Sequence, residues 1–240
     1  MRPLRYVLPL VGAAALAFCS PAQAAPSVLG PSGDLLTPTN RFLPARSLNG
    51  GFHILLDVDK LDDEDIRIFK ANYGVMDRLE AGFTVFDVGG GTFSGKEVTV
   101  NAKYLLLTEA QHGVAVSVGV FDLTDELDLD PGIYIYVSKD ITSLLGRKIE
   151  SGAPGSLEVG AGVGGGIYNG FFANGRLHLT KNLDVFAEFL DDAEAIADGA
   201  TVNVGARLYI GRNLTIDSGL FDLDNFGVGL TFTTAPHTKE

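Results

Sequence analysis

Thr201-Val202-Asn203-Val204-Gly205-Ala206-Arg207-Leu208, then Gly211-Arg212-Asn213-Leu214-Thr215, then Phe221-Asp222: three pieces of one hairpin stand here in a row. Larger apolar residues alternate with polar or small ones, a short polar turn follows, and a second run of similar length closes on an aromatic–acid step. Alternation with period two places every second side chain on one face of a β-strand. Asn213 supplies the conformational tolerance that a tight turn requires. The unit recurs. Thr180-Lys181-Asn182-Leu183-Asp184 leads to Phe189-Leu190-Asp191, and Met76-Asp77-Arg78-Leu79-Glu80 leads to Phe86-Asp87. Phe121-Asp122 closes a fourth run, entered from Gln111-His112-Gly113.

Worked outward, the pattern covers the chain from Leu48. Val114-Ala115-Val116-Ser117-Val118-Gly119-Val120 and Leu157-Glu158-Val159-Gly160-Ala161-Gly162-Val163 alternate most cleanly. It predicts about twelve strands, at 49–58, 65–75, 78–87, 97–108, 113–122, 131–140, 156–168, 174–180, 182–191, 200–210, 213–222 and 225–233. The run 65–75 is the least regular, because Ile66 and Ile68 oppose Phe69, Ala71 and Tyr73. Strands of roughly 9–11 residues joined as a meander suit a sheet of fixed height, and an even strand number closes a barrel with both ends on one side.

A water-soluble β protein also alternates, so the polar phase has to decide. A wetted exterior would carry many Lys and Glu. Here that phase is mainly Gly, Ser, Thr and Asn with scattered charges of both signs, and Gly160, Gly162, Gly164 and Gly166 share a phase. Small residues with balanced charges suit a barrel interior, while Val, Leu, Ile, Ala and Phe suit lipid. The predicted fold is an all-β, closed antiparallel transmembrane barrel. The inward candidates, read from phase, are Glu80, Lys103, Glu158, Arg176, His178, Glu188, Arg207 and Asp217. On the lipid face a charge would cost roughly 2–4 kcal/mol near the midplane.

The first residues point to export. Arg2 and Arg5 precede an apolar run from Val7 to Phe18, and Ala22-Gln23-Ala24 has the small-x-small form of a cleavage site. The expected division is a signal peptide at 1–24, a Pro- and Gly-rich periplasmic leader at 25–47, the barrel at 48–233 and a tail at 234–240. Lipidation at Cys19 is disfavoured by bulky Phe18. Cleavage would remove the single cysteine, leaving a chain without disulfides. No later stretch reaches the roughly 20 apolar residues of a membrane helix, although mean hydropathy is +0.20 and 46% of residues are hydrophobic. The formal charge of −12 argues against nucleic acid, whose phosphates demand Lys and Arg. The expected location is the outer membrane of a Gram-negative-type envelope.

Two resemblances add to this reading. Gly33-Asp34-Leu35-Leu36-Thr37-Pro38-Thr39, followed by Gly50-Gly51-Phe52, resembles the start of YjbH-like outer-membrane barrels linked to exopolysaccharide systems. The resemblance covers about residues 30–56 and implies a role beside polysaccharide secretion, with no functional residues carried over. The hairpin Tyr73-Gly74-Val75-Met76-Asp77-Arg78-Leu79-Glu80-Ala81-Gly82 is similar to the tyrosine-glycine, turn, arginine-leucine step of porin-like barrels.

Enzyme readings are thin. Asn174-Gly175-Arg176 resembles the end of the His-x-Ser-Asn-Gly-Arg pattern of outer-membrane phospholipases, but Phe171 and Ala173 stand at the His and Ser positions. Without nucleophile and base there is no activated hydroxyl, and the tripeptide reads as a turn entering a strand. His53, His112, His178 and His237 lack metal-ligand spacing. Acidic residues cluster at Asp57–Asp65, Asp122–Asp130 and Asp191–Asp198, yet Asp57–Ile68 lacks the Gly and Glu of a calcium loop. No cofactor, metal or catalysis is expected.

Two functions follow as expectations: a narrow porin-like pore for ions or small solutes, or a non-conducting accessory barrel associated with surface polysaccharide. Expected partners are lipid and lipopolysaccharide, divalent cations bridging the acidic loops, and an envelope or polysaccharide-export component. The shorter connections would face the periplasm and the longer acidic ones the exterior. Only Ile141–Gly155 is long enough among the loops to be considered as a constriction, and the strand count puts it on the periplasmic side.

Overall fold

In the computed structural model, residues 24–58, 64–88, 96–124, 131–147, 149–192 and 199–234 are described. The expected signal peptide as far as Gln23, most of the acidic loop residues and the tail after Thr234 lie outside them.

Twelve strands run β1 (Leu48–Val58), β2 (Glu64–Met76), β3 (Leu79–Val88), β4 (Lys96–Leu107), β5 (Ala115–Phe121) and β6 (Gly132–Asp140). They continue with β7 (Leu157–Gly164), β8 (Gly170–His178), β9 (Leu183–Leu190), β10 (Thr201–Ile210), β11 (Leu214–Phe221) and β12 (Asn225–Thr233). Each pairs antiparallel with its neighbours in sequence, and β1 closes on β12 through partners such as Gly51 with Thr231 and Phe52 with Leu230. Closure satisfies the ladder of every strand within the sheet, which is the condition for placing a sheet in hydrocarbon. A short helix, α1 (Glu109–His112), sits in the connection before β5, capped by Gly113 at φ 76°.

Alternation sorts the two faces. Phe69, Phe83, Val100, Ile135, Val204, Val228 and Leu230 point outward and are exposed, as are large apolar side chains from most other strands. Exposed apolar patches on soluble monomers are usually a few hundred Å², whereas this belt goes around the molecule. Among the described outward positions, the charges Asp65, Arg67, Asp87 and Lys139 stand toward strand ends.

The interior has two storeys. At the end bearing the long connections, Phe86, Phe121, Tyr134, Tyr168, Phe172 and Phe221 turn inward with Leu55, Ile66 and Ile68. Tyr168 touches Phe121, Tyr134 and Phe172 at ring-centroid distances of 6.4, 5.0 and 5.4 Å. Ile66 and Ile68 belong to this layer, which is why β2 looked irregular. The Phe-Asp steps also gain a reason. Phe121 and Phe221 cap the lumen, and the following Asp122 and Asp222 take φ of 53° and 52°, a conformation that Asp tolerates better than most residues. Toward the opposite end, the inner face is polar and charged.

Two boundaries differ from the sequence reading. β7 ends at Gly164, and Gly166–Tyr168 forms a 3-10 turn, so Gly166 leaves the inner face of the strand. β8 begins at Gly170, which places Asn174-Gly175-Arg176 inside a strand rather than at a turn. Within β7 the glycines make room for rings: a Cβ on Gly160 would collide with Tyr136, and one on Gly162 with Phe172.

Candidate functional site

The largest difference from expectation lies at residues 25–47. Read as a periplasmic leader, this segment instead places its residues 25–41 inside the barrel and runs along the rim from there to β1. Ala25, Ser27, Val28, Leu35, Leu36 and Thr37 are all buried at 2% exposure or less, which is the burial of a core. The segment has no regular repeat of side chains, so it forms no strand. It folds back on itself through Val28 N–H to Leu35 O (2.6 Å), Gly33 N–H to Ala25 O (3.0 Å), Asp34 N–H to Thr37 O (2.9 Å) and Thr39 N–H to Ser32 O (3.2 Å). Val28, Leu29, Leu35 and Leu36 enter the apolar storey.

The inner wall binds this segment mainly through its backbone. Glu188 on β9 accepts N–H bonds from Leu35 (2.9 Å), Leu36 (2.9 Å) and Thr37 (3.0 Å), and the Thr37 hydroxyl at 2.7 Å. One carboxylate thereby satisfies three successive amides that a turn leaves unpaired. Glu80 on β3 accepts from Ser32 N–H (2.7 Å), Ser32 Oγ (2.6 Å) and Leu43 N–H (3.1 Å). Lys103 on β4 donates to the carbonyls of Ser32, Thr39 and Arg41 at 2.7, 2.9 and 2.8 Å, and lies 4.3 Å from the centre of the Phe42 ring. Three donors on one ammonium thus meet three acceptors.

Asp34 is the segment's charged anchor. Arg176 on β8 grips its carboxylate through Nε (2.8 Å) and Nη2, and Asn174 Nδ2 adds a bond of 3.0 Å. Arg207 on β10 donates to Gly33 O at 2.8 Å and Asp34 O at 3.3 Å while pairing with Asp217 on β11. Phe186 lies between the two guanidinium groups, each 5.7 Å from its ring centre. Toward the end of the segment, Arg41 bonds Glu158 on β7 at 3.2 Å and His178 Nε2 on β8 at 2.6 Å. Arginine only donates, so Nε2 accepts and His178 Nδ1 carries the proton toward Asp184 (2.6 Å).

All eight residues chosen by phase therefore sit on the inner wall. Their partners are the segment, one another and neighbouring inner-wall side chains such as His53 and Asp184. Sequence reasoning missed Lys70, which donates to Ser27 O, Asn72, which donates to Gly30 O at 2.6 Å, and His53, 3.5 Å from Asp217. Period two could have supplied all three, since they alternate with Phe69, Tyr73 and Phe52. The segment's own Asp34 and Arg41 carried no pattern. The connection 141–156 does not supply the constriction; Leu144 is 71% exposed, and Arg147 bonds back to Gly155 O.

Open space remains at the tight-turn end, where a cavity of about 260 Å³ is bounded by Arg41, Leu105, Glu109, Ser138 and Glu158 among others. Among the described residues there is no cluster of His, Cys, Asp and Glu able to hold a metal ion.

Comparison with known proteins bears on the fold. No family model matches the chain, and no curated protein matches it. Among solved structures it is similar to KdgM porin, with a TM-score of 0.52 and 11% identity over 79% of this chain and 99% of that one. It is also similar to the outer membrane protein Omp33 of Acinetobacter baumannii, with a TM-score of 0.40 and 10% identity over 78% of this chain and 95% of that one. At such identities the likeness to KdgM porin is one of architecture: a closed antiparallel barrel of porin type.

Proposed function

We propose that this chain is an outer-membrane β-barrel with a porin-like lumen for ions or small solutes, held shut in the conformation described. The observation that carries the reading is the sorting of side chains, apolar outward around the belt and charged inward from β2, β3, β4 and β7 to β11. A lipid exterior explains the first, and a solvated or polar-filled interior explains the second. Export with cleavage after Ala24 would start the mature chain at Ala25, inside the barrel. The acidic loops would then meet lipopolysaccharide and divalent cations at the outer surface. The reading assigns no catalysis.

The test is single-channel recording on the purified full chain in planar bilayers. Infrequent discrete conductance steps are expected, because the lumen is filled most of the time. Stable insertion with no steps at any voltage would reject the pore. One observation favours a second reading, a non-conducting accessory barrel beside polysaccharide secretion: the same filled lumen, in a segment whose residues 33–39 carry the YjbH-like resemblance.

A further inference from the structure

We propose that residues 25–41 are a displaceable plug, a unit that seats in the lumen from the tight-turn mouth and can withdraw through it to unmask the charged inner wall. What withdrawal achieves rests on the pore reading; the displacement does not.

Four observations carry the proposal. First, the barrel is complete without the segment, since β1 pairs with both β2 and β12 and no strand of the closed sheet comes from residues 25–41. Second, the segment keeps its own internal hydrogen bonds, as with Val28 to Leu35 and Thr39 to Ser32, so it can move without unfolding first. Third, its grip on the wall is made largely of charged groups, Glu80, Lys103, Arg176, Glu188 and Arg207, which water would solvate in an emptied lumen. A permanent core would be expected to use packed apolar groups there, because buried ion pairs are weak contributors to stability. Fourth, the fit is incomplete around the wall. Asn72 Oδ1, Thr99 Oγ1, both amide atoms of Asn101 and Ser117 Oγ on β2, β4 and β5, and Thr215 Oγ1 and Thr231 Oγ1 on β11 and β12, are buried without a protein hydrogen-bond partner. Buried polar atoms are normally satisfied by protein or water, so the plug leaves part of the polar inner wall unsatisfied. Its tether, residues 42–47, runs to β1 at the tight-turn rim, where Arg46 N–H bonds Gly74 O at 2.6 Å. The apolar contacts of Val28, Leu29, Leu35 and Leu36 keep the seated state dominant.

A cross-link can hold the plug in place. The Leu35 side chain occupies the space that a side chain on Gly219 or Gly205 would need. The full chain carrying Leu35→Cys with Gly219→Cys, or with Gly205→Cys, is folded in detergent and compared oxidised and reduced. Amide hydrogen exchange is followed by mass spectrometry. In the reduced form, amides of 25–41 are expected to exchange together, about tenfold or more faster than those of β9 and β10, as a separate opening unit. Oxidation should slow them to the rate of the strands. Failure of both cross-links to form in the folded barrel would overturn the proposal. So would exchange of 25–41 as slow as the strands when reduced, or unchanged by oxidation. Asp34→Asn in the otherwise unchanged chain supplies a second test: faster exchange confined to 25–41 supports the plug, and unaltered exchange contradicts it. The same cysteine pair in bilayers separates the two ideas. Exchange that responds to the cross-link, with conductance in neither state, keeps the plug and rejects the pore. Equal conductance in both states rejects the plug as the closure.

Discussion

Arg207 is 1% exposed, yet it faces an acidic side chain and two carbonyls at once. Such a residue is costly to bury and more costly to lose, because its partners stay behind. Arg207→Ala takes from Asp217 its guanidinium partner, leaving His53 at 3.5 Å, and releases the carbonyls of Gly33 and Asp34. Breaking one side of a buried pair costs about 3–5 kcal/mol, so the unfolding midpoint of the detergent-folded barrel should fall markedly. Arg176→Ala should behave alike through Asp34. Denaturant titration checks both; a midpoint within error of the unaltered protein would mean these side chains are already hydrated. The inner position of each arginine was legible from period two, because Val204 and Leu208 flank Arg207 in the opposite phase. Its partner was not legible. Glu188 meets Thr37 across 151 positions of sequence, and nothing local in 25–47 signals that its amides need a carboxylate.

Strands are where sequence reading does best and where its limits have a physical cause. β12 alternates along its whole length, with Phe226, Val228, Leu230 and Phe232 outward, and its bounds match the expectation. β2 obscured its phase because the inner face changes from apolar at Ile66 and Ile68 to polar at Lys70 and Asn72. β7 was read too long because glycine has no side chain to mark where the period stops. β8 was entered too late because Asn-Gly carries a strong turn signal, even though here Asn174 is held at Asp34 and Tyr136. At this scale the outward face makes a sharp prediction. Val204→Arg puts a charge in the belt, at roughly 2–4 kcal/mol if near the midplane. Heat-shift electrophoresis of membrane fractions should show less folded barrel, while Val204→Leu should assemble normally. Equal assembly of both variants would invert the assigned faces.

For the whole molecule, orientation follows from the connections. β1 begins and β12 ends on the side of the turns at 77–78, 179–182 and 211–213, and the plug reaches the lumen from that same side. With short turns inside, the plug would withdraw toward the periplasm. Asp192→Cys, in the long connection after β9, should react on whole cells with a thiol reagent that cannot cross the membrane. Asn182→Cys should react only once the envelope is opened. Reversed labelling would turn the barrel over and leave its fold untouched.

Lipid should surround the barrel while the protein's own chain fills it. The sequence contains no tryptophan, so one introduced indole reports on one position. Ile135→Trp and Val228→Trp place it outward; Phe172→Trp and Phe186→Trp place it inward, each in an aromatic site. Fluorescence of the full chain reconstituted in vesicles is measured against lipids brominated along the acyl chain. The outward pair should be strongly quenched and the inward pair spared. Equal quenching of both pairs, or outward residues quenched by aqueous iodide and not by brominated lipid, would contradict the claim.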